Sequence, residues 1–156
     1  MSNPCDVDVV LRELAKVEAG ISGVIGAYES APDSIPATDL PAFINLPGPE
    51  QLVGEGGDDE IGEGLSTRTY YCVLIVAPFG TGISGEKFGD VMPFFTRVRD
   101  TFMRYQALGL ANALRLVYRG DSGVLADIQY AGNSYYGIRF SVDIAGLFRV
   151  NYAQYE

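Results

Sequence analysis

Seven consecutive residues, Tyr70-Tyr71-Cys72-Val73-Leu74-Ile75-Val76, carry no charge and no turn former, and they lie within a strongly strand-favouring stretch, 67–77. A strand with apolar side chains on both faces needs cover on both, so this segment belongs in the centre of a sheet. Near the C-terminus Tyr136, Ile138, Phe140, Val142 and Ile144 alternate with Tyr135, Gly137, Arg139, Ser141 and Asp143. That period of two is a strand with one face in the core and one turned away.

The remaining pattern supplies partners for these two strands. Residues 114–119 and 124–130 read as strands separated by the turn signal Gly120-Asp121-Ser122-Gly123, and Ala131-Gly132-Asn133 reads as a further turn. Residues 24–29 form a short strand, and 31–36 are a turn-rich connector. Residues 42–46, bracketed by Pro41 and Pro47-Gly48-Pro49, read as an edge strand or hairpin arm. Val7, Val10, Leu11, Leu14 and Val17 recur at helical spacing and predict a helix over 6–19 that stops at Gly20. A second helix over 88–108 carries Val91, Phe94, Phe95, Val98, Phe102 and Tyr105 on one stripe. Pro93 belongs in its first turn, so the helix proper should begin near Asp90. The expected fold is a single α+β domain over 1–156, a mostly antiparallel sheet with two helices packed on one face.

Two segments stand apart. Residues 47–64 hold six glycines, Glu50, Glu55, Asp58, Asp59, Glu60 and Glu63, and no basic residue. So little apolar content cannot offset ordering entropy, and the segment reads as a long acidic loop: a solvated hairpin tip, or a loop ordered against a neighbouring subunit. From about 146 a short C-terminal tail carries Leu147, Phe148, Val150, Tyr152 and Tyr155, able to pack on its own domain or on a neighbour.

Charge and composition narrow the chemistry. The formal net charge is −9, with −11 in residues 1–64 and +2 in 65–156, and no basic stripe marks a surface for gripping nucleic acid. The chain lacks histidine, which removes imidazole bases and histidine-held zinc. Cys5 and Cys72 form neither a CxxC nor a disulfide framework, and Cys72 reads as a buried inert thiol. Residues 1–8 have no basic leader, and no apolar run is long enough for a membrane span. Arg97, Arg99, Asp100 and Arg104 read as a solvated helix face. Alternatively Arg97 and Arg99 meet an acidic surface on an adjacent copy, since segments of opposite sign suit head-to-tail contact.

Gly80-Thr81-Gly82-Ile83-Ser84-Gly85 matches GxGxxG after a strand and before a helix. Pro78 and Phe79 part it from the strand, the helix is expected only near Asp90, and Asp121 lies far beyond the interval usual for a ribose-binding acid. No second βαβ unit follows. As a phosphate loop it fails too, because Glu86 stands where lysine is required and Lys87 where Ser or Thr is. Asp58, Asp59 and Glu60 with Glu55 and Glu63 would gather a divalent cation weakly, without the spacing of an EF-hand. No cofactor is expected.

In the order PAFINLPG (41–48), TRTYYCVLIVAPFGTGISGE (67–86), FFTRVRDTF (94–102) and YYGIRFSVDI (135–144), after an amphipathic N-terminal helix, the chain resembles the tail terminator and tail-completion proteins of long-tailed bacteriophages. The resemblance implies a non-enzymatic virion protein of the tail or neck, made in the host bacterial cytoplasm. It further implies a hexameric ring that caps the tail tube, stops its polymerisation and offers a surface to the head-side neck. Its partners would be copies of itself, the tail tube protein and the head-side connector, with DNA passing an acidic lumen without specific binding. The family carries no catalytic residues to transfer. The resemblance also places 47–64 where members have an extended loop used in subunit or tube contacts. Candidate contact residues are then Glu50, Glu55, Asp58, Asp59, Glu60, Glu63, Arg97, Arg99, Leu147, Phe148 and Tyr152. A head–tail connector of stopper or joining type is the alternative, and a small nucleotide-binding enzyme using Gly80 to Gly85 is a third reading.

Overall fold

The apolar run 70–76 lies in the middle strand of a five-stranded sheet, in a computed structural model that describes residues 3–53, 61–79 and 85–151. The strands are β1 (Gly26–Ala27), β2 (Ala42–Val53), β3 (Ile61–Pro78), β4 (Arg115–Tyr130) and β5 (Asn133–Asn151). They are ordered β1-β2-β3-β5-β4; β1 and β2 run parallel and every other neighbouring pair antiparallel. Helices α1 (Val7–Ala19) and α2 (Gly85–Leu108) cover one face, so the expected α+β class is the one observed.

Both faces of β3 are covered at its centre, as its sequence demands. Under the helices Tyr70, Cys72, Leu74 and Val76 meet Val10, Leu14 and Val17 of α1, and Val91, Phe94, Val98 and Phe102 of α2. Phe140, Val142 and Ile144 of β5 complete this core, with Phe43 tilted against Phe140 at 6.2 Å. Each fully buried Leu or Phe contributes about 2–3 kcal/mol by leaving water. On the opposite face Val73 and Ile75 join Ala42, Ile44, Tyr135 and Ile35 in a smaller cluster, roofed by the 28–40 connector through Tyr28 and Leu40.

Several expectations need correction. The strand expected over 24–29 is reduced to β1, paired only with Ala42 and Phe43. The signal at 120–123 is not a chain reversal: β4 passes through it with register shifts while pairing β5 throughout. Gly120 (φ 106°) and Gly123 (φ 72°) supply the positive φ that a bulge needs as much as a turn does, and the Asp121 carboxylate accepts the Gly123 N–H at 2.8 Å. The reversal comes at Ala131 (φ 51°) and Gly132 (φ 80°), a two-residue hairpin joining Tyr130 to Asn133.

The segment 47–64 is largely strand rather than loop. β2 continues to Val53 and β3 starts at Ile61, with Glu50 opposite Arg68 and Val53 opposite Leu65. Backbone pairing and a Glu50–Arg68 ion pair supply the ordering that the side chains alone would not. Residues 146–151, expected as a short tail packing on its own domain or on a neighbour, continue β5, which pairs on to Asn151 opposite Ile61. The two strands leave the core together, and a three-stranded extension of β2, β3 and β5 projects past the last paired residue of β4, Arg115.

Helix α2 begins at Gly85 rather than near Asp90, which places Pro93 inside it. Pro93 and Gly89, whose carbonyl lost its intrahelical donor, are both exposed, and nothing lies within 4 Å of where a Gly89 side chain would sit. The proline is accommodated on an exposed turn, where the Gly89 carbonyl that lost its donor is open to solvent. One objection to a dinucleotide fingerprint thereby falls, since a helix opens at the third glycine, while Phe79 still follows the end of β3 at Pro78. The sheet is nevertheless not doubly wound: among the described residues β1 and β2 alone pair in parallel, and β5 separates β3 from β4. Residues 80–84 lie outside the described residues.

Candidate assembly surfaces

The face of the sheet away from the helices is open beyond the small second cluster. Strand register puts Gln51 and Val53 of β2 on it, with Leu65, Thr67, Thr69 and Tyr71 of β3. Arg139, Ser141, Asp143, Ala145 and Leu147 of β5 follow, then Arg115 and Val117 of β4. At its centre Asp143 accepts hydrogen bonds from Thr69 Oγ1 at 2.8 Å and Arg119 Nε at 2.7 Å. The Arg139 guanidinium lies over the Tyr71 ring, 5.4 Å from its centroid. Among the described residues Arg115 and Arg139 have no ion-pair partner. The alternation of β5 already set Arg139 and Asp143 on the outward side. The arginines of β4 were hidden by reading a turn at 120–123.

At the far end of this face Val53, Leu65 and Leu147 stand in one cross-strand row, 69%, 38% and 73% exposed. Leu147, expected as a contact residue, is therefore free to make one. Phe148 points to the other side of the sheet and is half-buried; with Asn3, Cys5, Leu52 and Arg68 it lines a groove of about 240 Å³ against the N-terminal segment. That segment is tied to β5, since the Arg149 N–H donates to Asn3 Oδ1 at 2.8 Å. Past Phe43 the outer edge of β2 carries no strand among the described residues, and Leu46 and Leu52 are exposed along it.

The charged candidates divide. Glu50 is occupied within its own hairpin, accepting from Ser66 Oγ at 2.6 Å and pairing with Arg68, which also donates to the Gly48 carbonyl at 2.9 Å. Glu63 stands opposite Arg149 in the β3–β5 ladder. Arg97 Nη1 donates to the Ser22 carbonyl at 3.2 Å and its guanidinium covers the Phe94 ring, so it fastens the α1–β1 connection to α2. Arg99 pairs with its neighbour Asp100 at 2.9 Å. Glu55, Asp58, Asp59, Glu60 and Tyr152 lie outside the described residues, as does most of the acidic group weighed for a cation. Among the described residues no three Cys, Asp or Glu side chains are gathered as for a metal ion.

Sequence reasoning missed one polar cluster entirely. Glu18, at the end of α1, is fully buried and accepts a hydrogen bond from Asn45 Nδ2 of β2 at 2.6 Å, beside the Cys72 thiol of β3. Burial raises its carboxyl to about 8, against smaller opposing contributions from Asn45 and Cys72. Cys72 is buried as expected, and burial pushes its thiol up as well. The available signal was positional: Glu18 follows Leu14 by four residues, on the apolar stripe.

No family model and no curated protein sequence matches this chain. Among the described residues no helix is long and apolar enough to cross a membrane.

Proposed function

We propose that the chain is a ring-forming tail terminator of a long-tailed phage, a virion protein that caps the tail tube, halts its polymerisation and presents a surface to the head-side neck. The observation that carries this reading is the uncovered sheet. Beyond the small second cluster one face is open, the β2 edge past Phe43 carries no strand among the described residues, and a paired extension bears the exposed Leu52, Val53, Leu65 and Leu147. Exposed strand edges and apolar rows are aggregation hazards in an isolated domain and assets in a subunit whose neighbours cover them. The family likeness of 41–48, 67–86, 94–102 and 135–144 supplies the kind of assembly. Copies of the chain, the tube protein and the head-side connector are the partners in this reading, and DNA would pass through the ring unbound.

Deleting the reading frame from its phage and measuring tails by negative-stain microscopy tests the function. The expected result is overlong, headless tubes. Tails of normal length that fail to join heads would transfer the role to a connector, and normal infectious particles would end both readings.

A further inference from the structure

A cavity of about 530 Å³ opens between the 28–40 connector, the end of β3 and the turn that joins β4 to β5. Ile35, Leu40, Pro78, Phe79 and Tyr135 give it apolar and aromatic walls, and Asn133 and Ser134 add two polar groups. That volume suits a small molecule or one long side chain. The connector that forms one wall is fastened. Tyr28 donates its O–H to Asp39 at 2.7 Å, and Tyr130 donates to the Pro32 carbonyl. A guest therefore meets a wall already in place and does not have to order it.

Charge selects the guest. No basic residue falls in the stretches that build the cavity, since none occurs in 17–67, 69–86 or 120–138. The connector carries Glu29, Asp33 and Asp39, and the second half of β4 carries Asp127. Glu29 meets Arg12 at 3.9 Å, but among the described residues Asp33, Asp39 and Asp127 form no ion pair. Asp39 lies between the wall residues Ala37 and Leu40. Gln129 Nε2 donates to Asp127 Oδ1 and to Ser134 Oγ, both at 2.7 Å, which sets that carboxylate one hydrogen-bonded link from the wall. Apolar walls among uncompensated carboxylates favour a cationic head on an apolar stem. The Phe79 and Tyr135 rings favour a planar guanidinium over a compact ammonium.

We propose that this cavity receives an arginine side chain from a partner protein other than a copy of this chain. The methylene stem lies along Ile35, Leu40 and Pro78, and the guanidinium meets the aromatic rings, with Ser134 Oγ and the Asp127 carboxylate as acceptors. The exposed arginines of this chain are for the most part engaged already, Arg99 with Asp100, Arg119 with Asp143 and Arg139 over Tyr71. The cavity adjoins Pro78, at the opposite end of β3 from the Val53–Leu65–Leu147 row, so a partner seated there leaves that row uncovered. The proposal requires only one basic partner and stands or falls separately from the tail role.

The test is ligand-observed saturation-transfer NMR on the full-length protein. One probe is Nα-acetyl-arginine amide, which carries the side chain on a capped backbone, and the other is its neutral isostere, Nα-acetyl-citrulline amide. The arginine probe should bind with a dissociation constant of about 1 mM, as suits a fragment of about fifteen heavy atoms, and the citrulline probe at least tenfold more weakly. Phe79→Ala removes an exposed wall ring, and Asp127→Asn removes a charge while keeping an oxygen for Gln129. Each should weaken the arginine probe at least threefold with the melting temperature unchanged. Equal binding of the two probes would overturn the proposal, as would undiminished binding by both variants. Free arginine held tenfold more tightly than the capped probe would assign the cavity to a free metabolite. Dissociation of self-associated protein by the probe would assign it to a neighbouring copy, and either result overturns the proposal.

Discussion

Glu18→Gln should flatten the pH dependence of stability and make the protein more stable than wild type at neutral and alkaline pH. Glu18 titrates near its ordinary value of 4.5 in the unfolded chain and at about 8 in the folded one, where burial disfavours its charge. A folded-state value raised in this way means that its stability contribution is complete below pH 4.5. It is lost progressively as pH rises toward about 8. The slope is about 1.4 kcal/mol per pH unit, so the full loss is of the order of ~3–5 kcal/mol, a large share of a typical domain's stability. Glutamine keeps an oxygen for the Asn45 amide and cannot ionise. Its amide N–H also replaces the carboxyl O–H as a donor beside Asn45 Oδ1, a buried oxygen with no hydrogen-bond partner among the described residues. The Cys72 thiol alongside stays protonated over this window, since burial raises it further. Urea unfolding at about pH 5, 7 and 9 checks the expectation: the wild-type minus Glu18→Gln difference should grow with pH. Parallel curves would show that Glu18 is ionised in the folded protein.

Gly137→Ala should be among the most damaging single methyl additions. Gly137 is buried in β5 opposite Ile75, at the point where the β3–β5 register shifts. A Cβ there would overlap the Leu74 carbonyl oxygen and meet the Leu74 carbonyl carbon at 2.9 Å and Ile75 Cα at 3.2 Å. All three are backbone atoms of the central strand, so no side chain can swing aside; the two middle strands must separate. A loss of about 3 kcal/mol follows, or roughly 6–12 °C in melting temperature for a domain of this size. Gly89→Ala, in open space on α2, is the control and should be neutral or raise stability by about 0.5–1 kcal/mol. Equal melting temperatures for the two variants would contradict the close approach at Gly137.

What the sequence made legible was set by apolar patterning. The run 70–76 announced a central strand, the alternation at 135–144 a half-buried one, and the stripes of α1 and α2 their buried faces. Where polar residues dominate, pattern said less. The glycine-rich, acidic flanks of 47–64 read as loop because pairing in an extension is carried by backbone hydrogen bonds and one ion pair, which leave no periodic trace. Gly120 and Gly123 look alike in a bulge and in a turn, since both need positive φ. Among the contact candidates, Leu147 is exposed and Arg97 donates to the Ser22 carbonyl, and neither placement could be read from the sequence. The open-face arginines emerge only once β4 and β5 are set side by side, because Arg115 and Arg119 reach the Arg139 surface through strand register alone.

The order in which the strands meet also dictates how the chain can fold. β3 pairs β2 across a hairpin, but its other edge waits for β5, with Pro78 meeting Tyr135 and Ile61 meeting Asn151. α2 and β4 lie within the loop that this ladder closes, a connectivity of high contact order that slows folding. Until β5 arrives, the most apolar strand in the molecule keeps an unpaired edge. Chains interrupted after β4 should therefore be sticky rather than merely less stable, and the same bare edge makes the nascent protein a client for chaperones.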